Sequence, residues 1–287
     1  MSRLPVAKTY KLFIGGAFPR SESGRVYDVA TPTGEFIANA SKASRKDARD
    51  AVVAARAAVA KWSGATAYNR GQVLYRIAEM LEGRTAQFID EIQKSTGASA
   101  KDASAEVHAA IDLLVWYAGW TDKYAQVVGG ANPVAGPFFN LSVPEPTGVV
   151  AVVAPQSGPT SLLGLVATVA PALVTGNTVV VIASESSPCA AMSFAEVVAT
   201  SDVPGGVVNI LTGSPTEMTP WLASHQDINA IDLTGADVDL ALACERDAAE
   251  TLKRVVRPGQ FSATLGSIDR IGAFVETKTV WHTKSLS

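Results

Sequence analysis

The strongest constraint on how this chain can fold is the alternation of elements between residues 149 and 233. Residues 149–154, 178–182 and 207–211 are short, unbroken apolar runs rich in valine, the pattern of strands covered on both faces. Between them lie helix-length segments at 162–174, 188–200 and 216–224, and a further short strand at 228–233. Strand–helix–strand order of this kind puts a parallel sheet between helical layers, as in dinucleotide-binding folds. By itself that is an architecture and names no reaction.

The flanks differ from this core. Residues 10–40 read as short strands linked by Gly and Pro turns. A helix is predicted over 44–62, entered through Ser44 with Asp47 three residues on. Helices are also predicted over 69–82, 85–96 and 101–127, the last carrying Val107, Ile111, Leu114, Val115 and Ala118 on one face. Gly129, Gly130 and Pro133 then break the pattern, and a strand at 138–143 is followed by the turn Pro144-Glu-Pro-Thr-Gly148. After 233 the reading is a helix over 238–255, a turn at Pro258-Gly259 and a strand over 273–281.

With 287 residues, 47% hydrophobic and 18% charged, the chain can bury a sizeable core and lacks the profile of a disordered one. A net charge of -3 gives no reason to expect nucleic acid or an anionic membrane as partner. The apolar runs 148–154 and 162–174 are too short to span a bilayer. The first ten residues lack an apolar stretch of signal-peptide type, and two cysteines alone suggest a reducing compartment; the expected localisation is cytoplasmic.

Several segments carry a family likeness. Ala57-Ala-Val-Ala-Lys-Trp62, Arg70 and Leu74-Tyr-Arg-Ile-Ala-Glu-Met-Leu-Glu82 resemble the N-terminal helices of aldehyde dehydrogenases. Pro144-Glu-Pro-Thr-Gly-Val-Val150, Pro171-Ala-Leu-Val-Thr-Gly-Asn-Thr-Val-Val180, Gly206-Val-Val-Asn-Ile-Leu-Thr-Gly213 and Ile231-Asp-Leu-Thr-Gly235 follow in the family's order. Ile271-Gly-Ala-Phe-Val-Glu-Thr-Lys-Thr-Val-Trp281 looks like the strand that closes such chains and belongs to their oligomerisation arm. The family places a catalytic domain of roughly two hundred residues between the cofactor fold and that strand. Here only about fifteen residues follow Arg257 before it.

The resemblance therefore implies an α/β chain: the Rossmann-like NAD-binding domain of an aldehyde dehydrogenase with N-terminal helices and an oligomerisation β-arm, and no catalytic domain. The expected divisions are 1–137 (N-terminal strands and helices), 138–148 (arm strand), 149–257 (dinucleotide fold) and 258–287 (C-terminal oligomerisation strand).

The family reaction needs a thiolate nucleophile, an oxyanion hole and a base that activates water. No Gly-Gln-x-Cys segment exists here, and Cys189 and Cys244 read as small buried residues. The family's general-base segment falls near Val256-Arg257-Pro258-Gly259, where no carboxylate stands. The oxyanion-hole asparagine aligns with Ser157, and the lysine that holds the adenosine ribose aligns with Ile182; Glu185, its acidic companion, is kept. Of the family's Gly-x-Gly-x-x-x-Gly turn only Gly213 remains, with Pro215 at the second glycine. After Gly235 the usual serine is Ala236. Ser157, Glu185, Gly213 and Gly235 are thus a degenerate cofactor set, and the expectation is no cofactor, or weak NAD(P).

His108, His225 and His282 are scattered without metal-ligand spacing, so no metal site is expected. Trp116, Tyr117 and Trp120 read as a core or interface stripe.

No catalytic residue is assigned. The expected function is a non-catalytic aldehyde dehydrogenase-like subunit, structural or regulatory, pairing with a full-length aldehyde dehydrogenase as a hetero-oligomer. Its contact residues would be Phe139, Leu141, Val143, Phe274, Val275, Thr277, Thr279 and Trp281, with the helix at 238–255 as a second surface. The alternatives are NAD(P)-dependent aldehyde oxidoreductase activity expressed only within such a complex, a nucleotide-binding regulator, and a decayed product without a role.

Overall fold

A computed structural model describes residues 6–156 and 161–284. Strands β1 (Thr9–Tyr10), β2 (Val26–Ala30) and β3 (Phe36–Ser41) form a small sheet of order β1-β3-β2. Helix α1 (Arg45–Ser63) begins where expected, at a reciprocal cap: the Ser44 hydroxyl accepts from the Lys46 and Asp47 amides, and the Asp47 carboxylate accepts from the Ser44 amide. Helices α2 (Ala67–Glu82), α3 (Thr85–Thr96), α4 (Ala100–Ala118) and α5 (Tyr124–Val128) follow, then β4 (Gly130–Ala131) and β5 (Phe138–Pro146). The single helix expected over 101–127 is broken. It stops at Gly119, and the Thr121 hydroxyl takes the Ala118 carbonyl, which diverts the chain before α5.

The central sheet contains β6 (Val149–Val153), β7 (Thr178–Ile182), β8 (Val208–Leu211), β9 (Ala230–Asp232) and β10 (Arg254–Val256), all parallel, in the order β10-β9-β6-β7-β8. Helices α6 (Ser161–Val174), α7 (Pro188–Ala199), α8 (Pro215–Ser224) and α9 (Val238–Ala249) make the crossovers. Strand side chains alternate between two cores. Val150, Val152, Val179 and Val181 join α2, α4, α6 and α7 on one side; Val149, Val153, Val180 and Ile182 join α1, α8 and α9 on the other. Burial on both faces is why these strands read as continuous apolar runs.

The helix expected over 238–255 is also corrected: α9 ends at Ala249, Leu252 takes a positive φ of 55°, and Arg254–Val256 pairs with β9 instead. Pairing along an open sheet edge outweighs local helical spacing. After β10 the chain turns at Gly259 and forms α10 (Ile268–Gly272), which the sequence reading missed, and then β11 (Val275–Thr283). β11 begins two residues later than expected and pairs antiparallel with β5 at nine positions, from Val275 opposite Pro146 to Thr283 opposite Phe138.

Two buried polar nodes fix these parts to one another. Asn177 donates to the carbonyls of Ala172 and Phe274 and accepts from the Gly148 amide, tying the end of α6 and the start of β6 to the root of β11. Arg270, with no exposed surface, donates through Nη2 to Asp232 Oδ2 at 2.6 Å and Thr234 Oγ1 at 2.8 Å, and through Nη1 to the Ser262 carbonyl at 3.0 Å. Asp232 is equally buried and its Oδ1 accepts from the Thr234 amide at 2.9 Å.

Removing one member of a buried ion pair strands the other charge, at a cost of about 3–5 kcal/mol, whereas apolar replacement of both can be neutral. Asp232→Ala is expected to lower the urea midpoint by an amount corresponding to that range. Asp232→Leu with Arg270→Met is expected to recover most of it. Equal loss in the single and double variants would show that the pair is not what holds α10 to the sheet.

Candidate cofactor crevice and arm

The carboxyl ends of β6, β7, β8 and β9 open into a cleft of about 670 Å³. It lies where the strand order reverses about β6, the position at which open α/β sheets accept ligands. Its walls are Pro155 and Gln156 after β6, Glu185 and Ser186 after β7, Ser214 to Thr216 at the head of α8, and Thr234 to Asp237 with Leu240 at the head of α9.

Glu185 and Gly235 both line this cleft. Gly235 donates its amide to the Val153 carbonyl at 2.9 Å, and a Cβ there would overlap the Ala154 carbonyl, so β9 and β6 converge through glycine. Gly213 takes a φ of 122° just before α8 and packs against Lys42 and Ala43, one residue outside the lining. Ser157 lies outside the described residues. Ile182, at the position of the ribose-binding lysine, has no exposed surface and belongs to the core.

Gln156 bridges the carboxyl ends of two strands. Its Nε2 donates to the carbonyls of Ala154 at 2.6 Å and Ala183 at 3.3 Å, and its Oε1 accepts from the Glu185 amide at 3.0 Å. Charge in the cleft is one-sided: Glu185 and Asp237 line it and no Lys or Arg does. Asp237 caps α9 by accepting from the Leu240 amide at 2.8 Å. At α8 the first residue is Pro215, which has no N–H to offer, and Glu217 places a carboxylate in the first turn, 2.7 Å from Lys42.

Neither thiol resembles a nucleophile. Cys189 is 1% exposed and Cys244 fully buried, and burial pushes each thiol up to about 11. The thiolate form is therefore scarce at neutral pH. His108 and His282 are exposed, and His225 stacks on Trp221 with centroids 4.6 Å apart while accepting from the Asp227 amide. Among the described residues no group of three His, Cys, Asp or Glu is placed to hold a metal, and no helix is long and apolar enough to cross a membrane.

The sequence reading missed Glu106, on α4. Its Oε1 accepts from the Leu162 and Leu163 amides at 2.8 and 3.3 Å and caps α6, while Oε2 has no partner. Desolvation pushes its carboxyl up to about 7, opposed by those two amides. A lone glutamate among the apolar positions of a long helix was the available signal.

In the arm, the strand register separates the expected contact residues. Phe139, Leu141 and Val143 share a face with Val280 and Lys278, whereas Thr277, Thr279 and Trp281 share the opposite one with Asn140 and Ser142. Phe139, Leu141, Val143 and Trp281 are exposed. Phe274 and Val275 are not: they are buried in this chain's own core, beneath the root of β11. The stripe Trp116, Tyr117 and Trp120 also packs within the chain, with Tyr117 fully buried and its hydroxyl accepting from the Ser267 amide.

A parallel five-stranded sheet with a cleft at its reversal point, helices on both faces and a separate antiparallel arm defines a Rossmann-like α/β protein with a β-sheet arm. The profile of the "Aldehyde dehydrogenase family" matches residues 18–257, and the chain belongs to that family. It is 32% identical over 257 residues to Omega-crystallin of Enteroctopus dofleini, covering 88% of this chain and 51% of that protein. It is 32% identical over 252 residues to D-glyceraldehyde dehydrogenase (NADP(+)) of Thermoplasma acidophilum, covering 87% of this chain and 50% of that protein. An NAD+ complex of the aldehyde dehydrogenase from Bacillus cereus superposes with a TM-score of 0.81 at 27% identity, over 86% of this chain and 50% of the other. The chain spans about half the length of the relatives it matches.

Two outcomes are expected. Both cysteines should resist iodoacetamide at pH 8 in the native state and react on unfolding; rapid native alkylation of either would contradict the burial described. For Glu106 the folded carboxyl lies above its ordinary 4.5, so its contribution to stability is complete below about pH 4.5 and is lost as pH rises through about 7. The full span corresponds to about 3 kcal/mol. Glu106→Gln, always neutral, is expected to gain stability relative to the parent chain between pH 5 and 8 in urea titrations.

Proposed function

We propose that this chain is a non-catalytic aldehyde dehydrogenase-like subunit, structural or regulatory, that assembles with a full-length aldehyde dehydrogenase. The observation that carries the reading is the arm. Nine residues of β11 pair with β5, and the resulting ribbon carries Phe139, Leu141, Val143 and Trp281 exposed to solvent. Exposed apolar residues on a strand ribbon favour a protein partner.

The order of segments supports the same reading, since only about fifteen residues separate Arg257 from the strand that resembles the family's closing arm. An arm that can be donated to a partner's sheet, with no catalytic sheet to accept one in return, favours a hetero-oligomer over a symmetric dimer. The divisions 1–137, 138–148, 149–257 and 258–287 follow from this proposal, with 138–148 and 258–287 contributing the contact strands. Buried thiols and the lack of a carboxylate at Val256-Arg257-Pro258-Gly259 support a partner that supplies the chemistry.

The test is capture of the tagged chain from its native cells, followed by size-exclusion chromatography with light scattering. A stoichiometric full-length aldehyde dehydrogenase is expected in the eluate. Leu141→Asp is expected to abolish its recovery while leaving a cooperative melt. A lone monomer or homodimer would overturn the proposal.

A further inference from the structure

The family fold implies a dinucleotide, and the residues of the cleft do not fit one. We infer that the chain closes this cleft to phosphorylated dinucleotides with its own side chains. The inference is independent of the assembly proposal.

A diphosphate at the reversal point of an α/β sheet needs free backbone N–H groups at helix heads and a close, glycine-lined approach. Among the described residues the heads of α8 and α9 lack part of this provision. At α9 the Asp237 carboxylate already takes the Leu240 amide, acting as an internal anion where an external one would sit. At α8 the leading residue is Pro215, which offers no N–H and carries a ring where a close approach needs a bare backbone.

Between β6 and β7, Gln156 consumes both strand-end carbonyls and the Glu185 amide. The hydroxyls of Ser184 and Ser186 donate back to the Gln156 carbonyl at 3.1 and 3.2 Å, which anchors the residue in the cleft.

Electrostatics points the same way. Glu185 and Asp237 line the cleft with no cation to offset them, so a diphosphate meets like charge on entry. The far end is also committed. Thr234 lines the cleft, yet its hydroxyl is bonded to both Arg270 and Asp232, so the one buried guanidinium near the site is already neutralised and is unavailable to a phosphate. The closing elements come from the loop after β6, the heads of α8 and α9, and the segment that follows β10. Loss of one family lysine would weaken binding; four separate obstructions close the site.

The experiment is calorimetry on the full chain with NAD, NADP and AMP, repeated on a variant carrying Gln156→Ala, Pro215→Gly and Asp237→Ser, the serine preserving a cap for α9. The parent chain is expected to show no saturable heat up to about 1 mM of any of the three ligands. The variant, provided its melt stays cooperative, is expected to bind NAD at least about tenfold more tightly than that limit. Saturable micromolar binding to the parent chain would overturn the inference outright. A folded variant as silent as its parent would equally overturn it, since these three side chains would then not be what closes the cleft. Capture of a partner, or failure to capture one, leaves either result intact.

Discussion

A buried arginine and a buried aspartate hold this structure in its present form. Asp232 sits at the carboxyl end of β9, and Arg270 reaches it from α10, beyond the last strand of the sheet. Without that contact the segment after β10 has little to fix it, because Pro258 to Gly266 contains no regular element. With it, the segment crosses the end of the sheet, packs Gly266 against Trp116, and delivers Phe274 to Asn177. β11 can then start at the register that pairs it with β5 along its whole length. A charge pair this deep gains little over well-packed apolar residues but makes misplacement of either partner costly, which suits a junction that must find one position.

That junction also bears on what the molecule can do. The chain spans about half the length of the relatives it matches, and it runs from the sheet through α10 directly to its arm. The buried pair, the cap at Glu106 and the Gln156 bridge are specific contacts between distant parts of the chain. Local caps, the two-sided core and these polar nodes act together in one fold.

Arm and cleft divide the surface between them. The cleft has the shape of a cofactor site, but Asp237 takes the Leu240 amide at the head of α9 and the charged residues that line it are Glu185 and Asp237. The arm differs: its backbone pairing is complete along one edge of β11, and Phe139, Leu141, Val143 and Trp281 are exposed among polar side chains such as Glu276, Thr277, Lys278 and Thr279.

The sequence by itself determined the parallel core, because valine runs such as Val149 to Val153 and Thr178 to Ile182 suit only strands covered on both faces. It also determined the capped start of α1, a question of residue identity alone. Tertiary structure decided the rest. Arg254–Val256 left the helical pattern because an open sheet edge offered hydrogen bonds that no local spacing encodes. Phe274 and Val275 passed from expected contact residues to core because the helix before them turns them inward. The register of β11 on β5 placed Trp281 and Leu141 on opposite faces, a relation set by pairing across more than a hundred residues of chain. Gln156, Asp232 and Arg270 were ordinary polar residues in the sequence. Their roles arise only when folding removes water from them and leaves each other as the available partners.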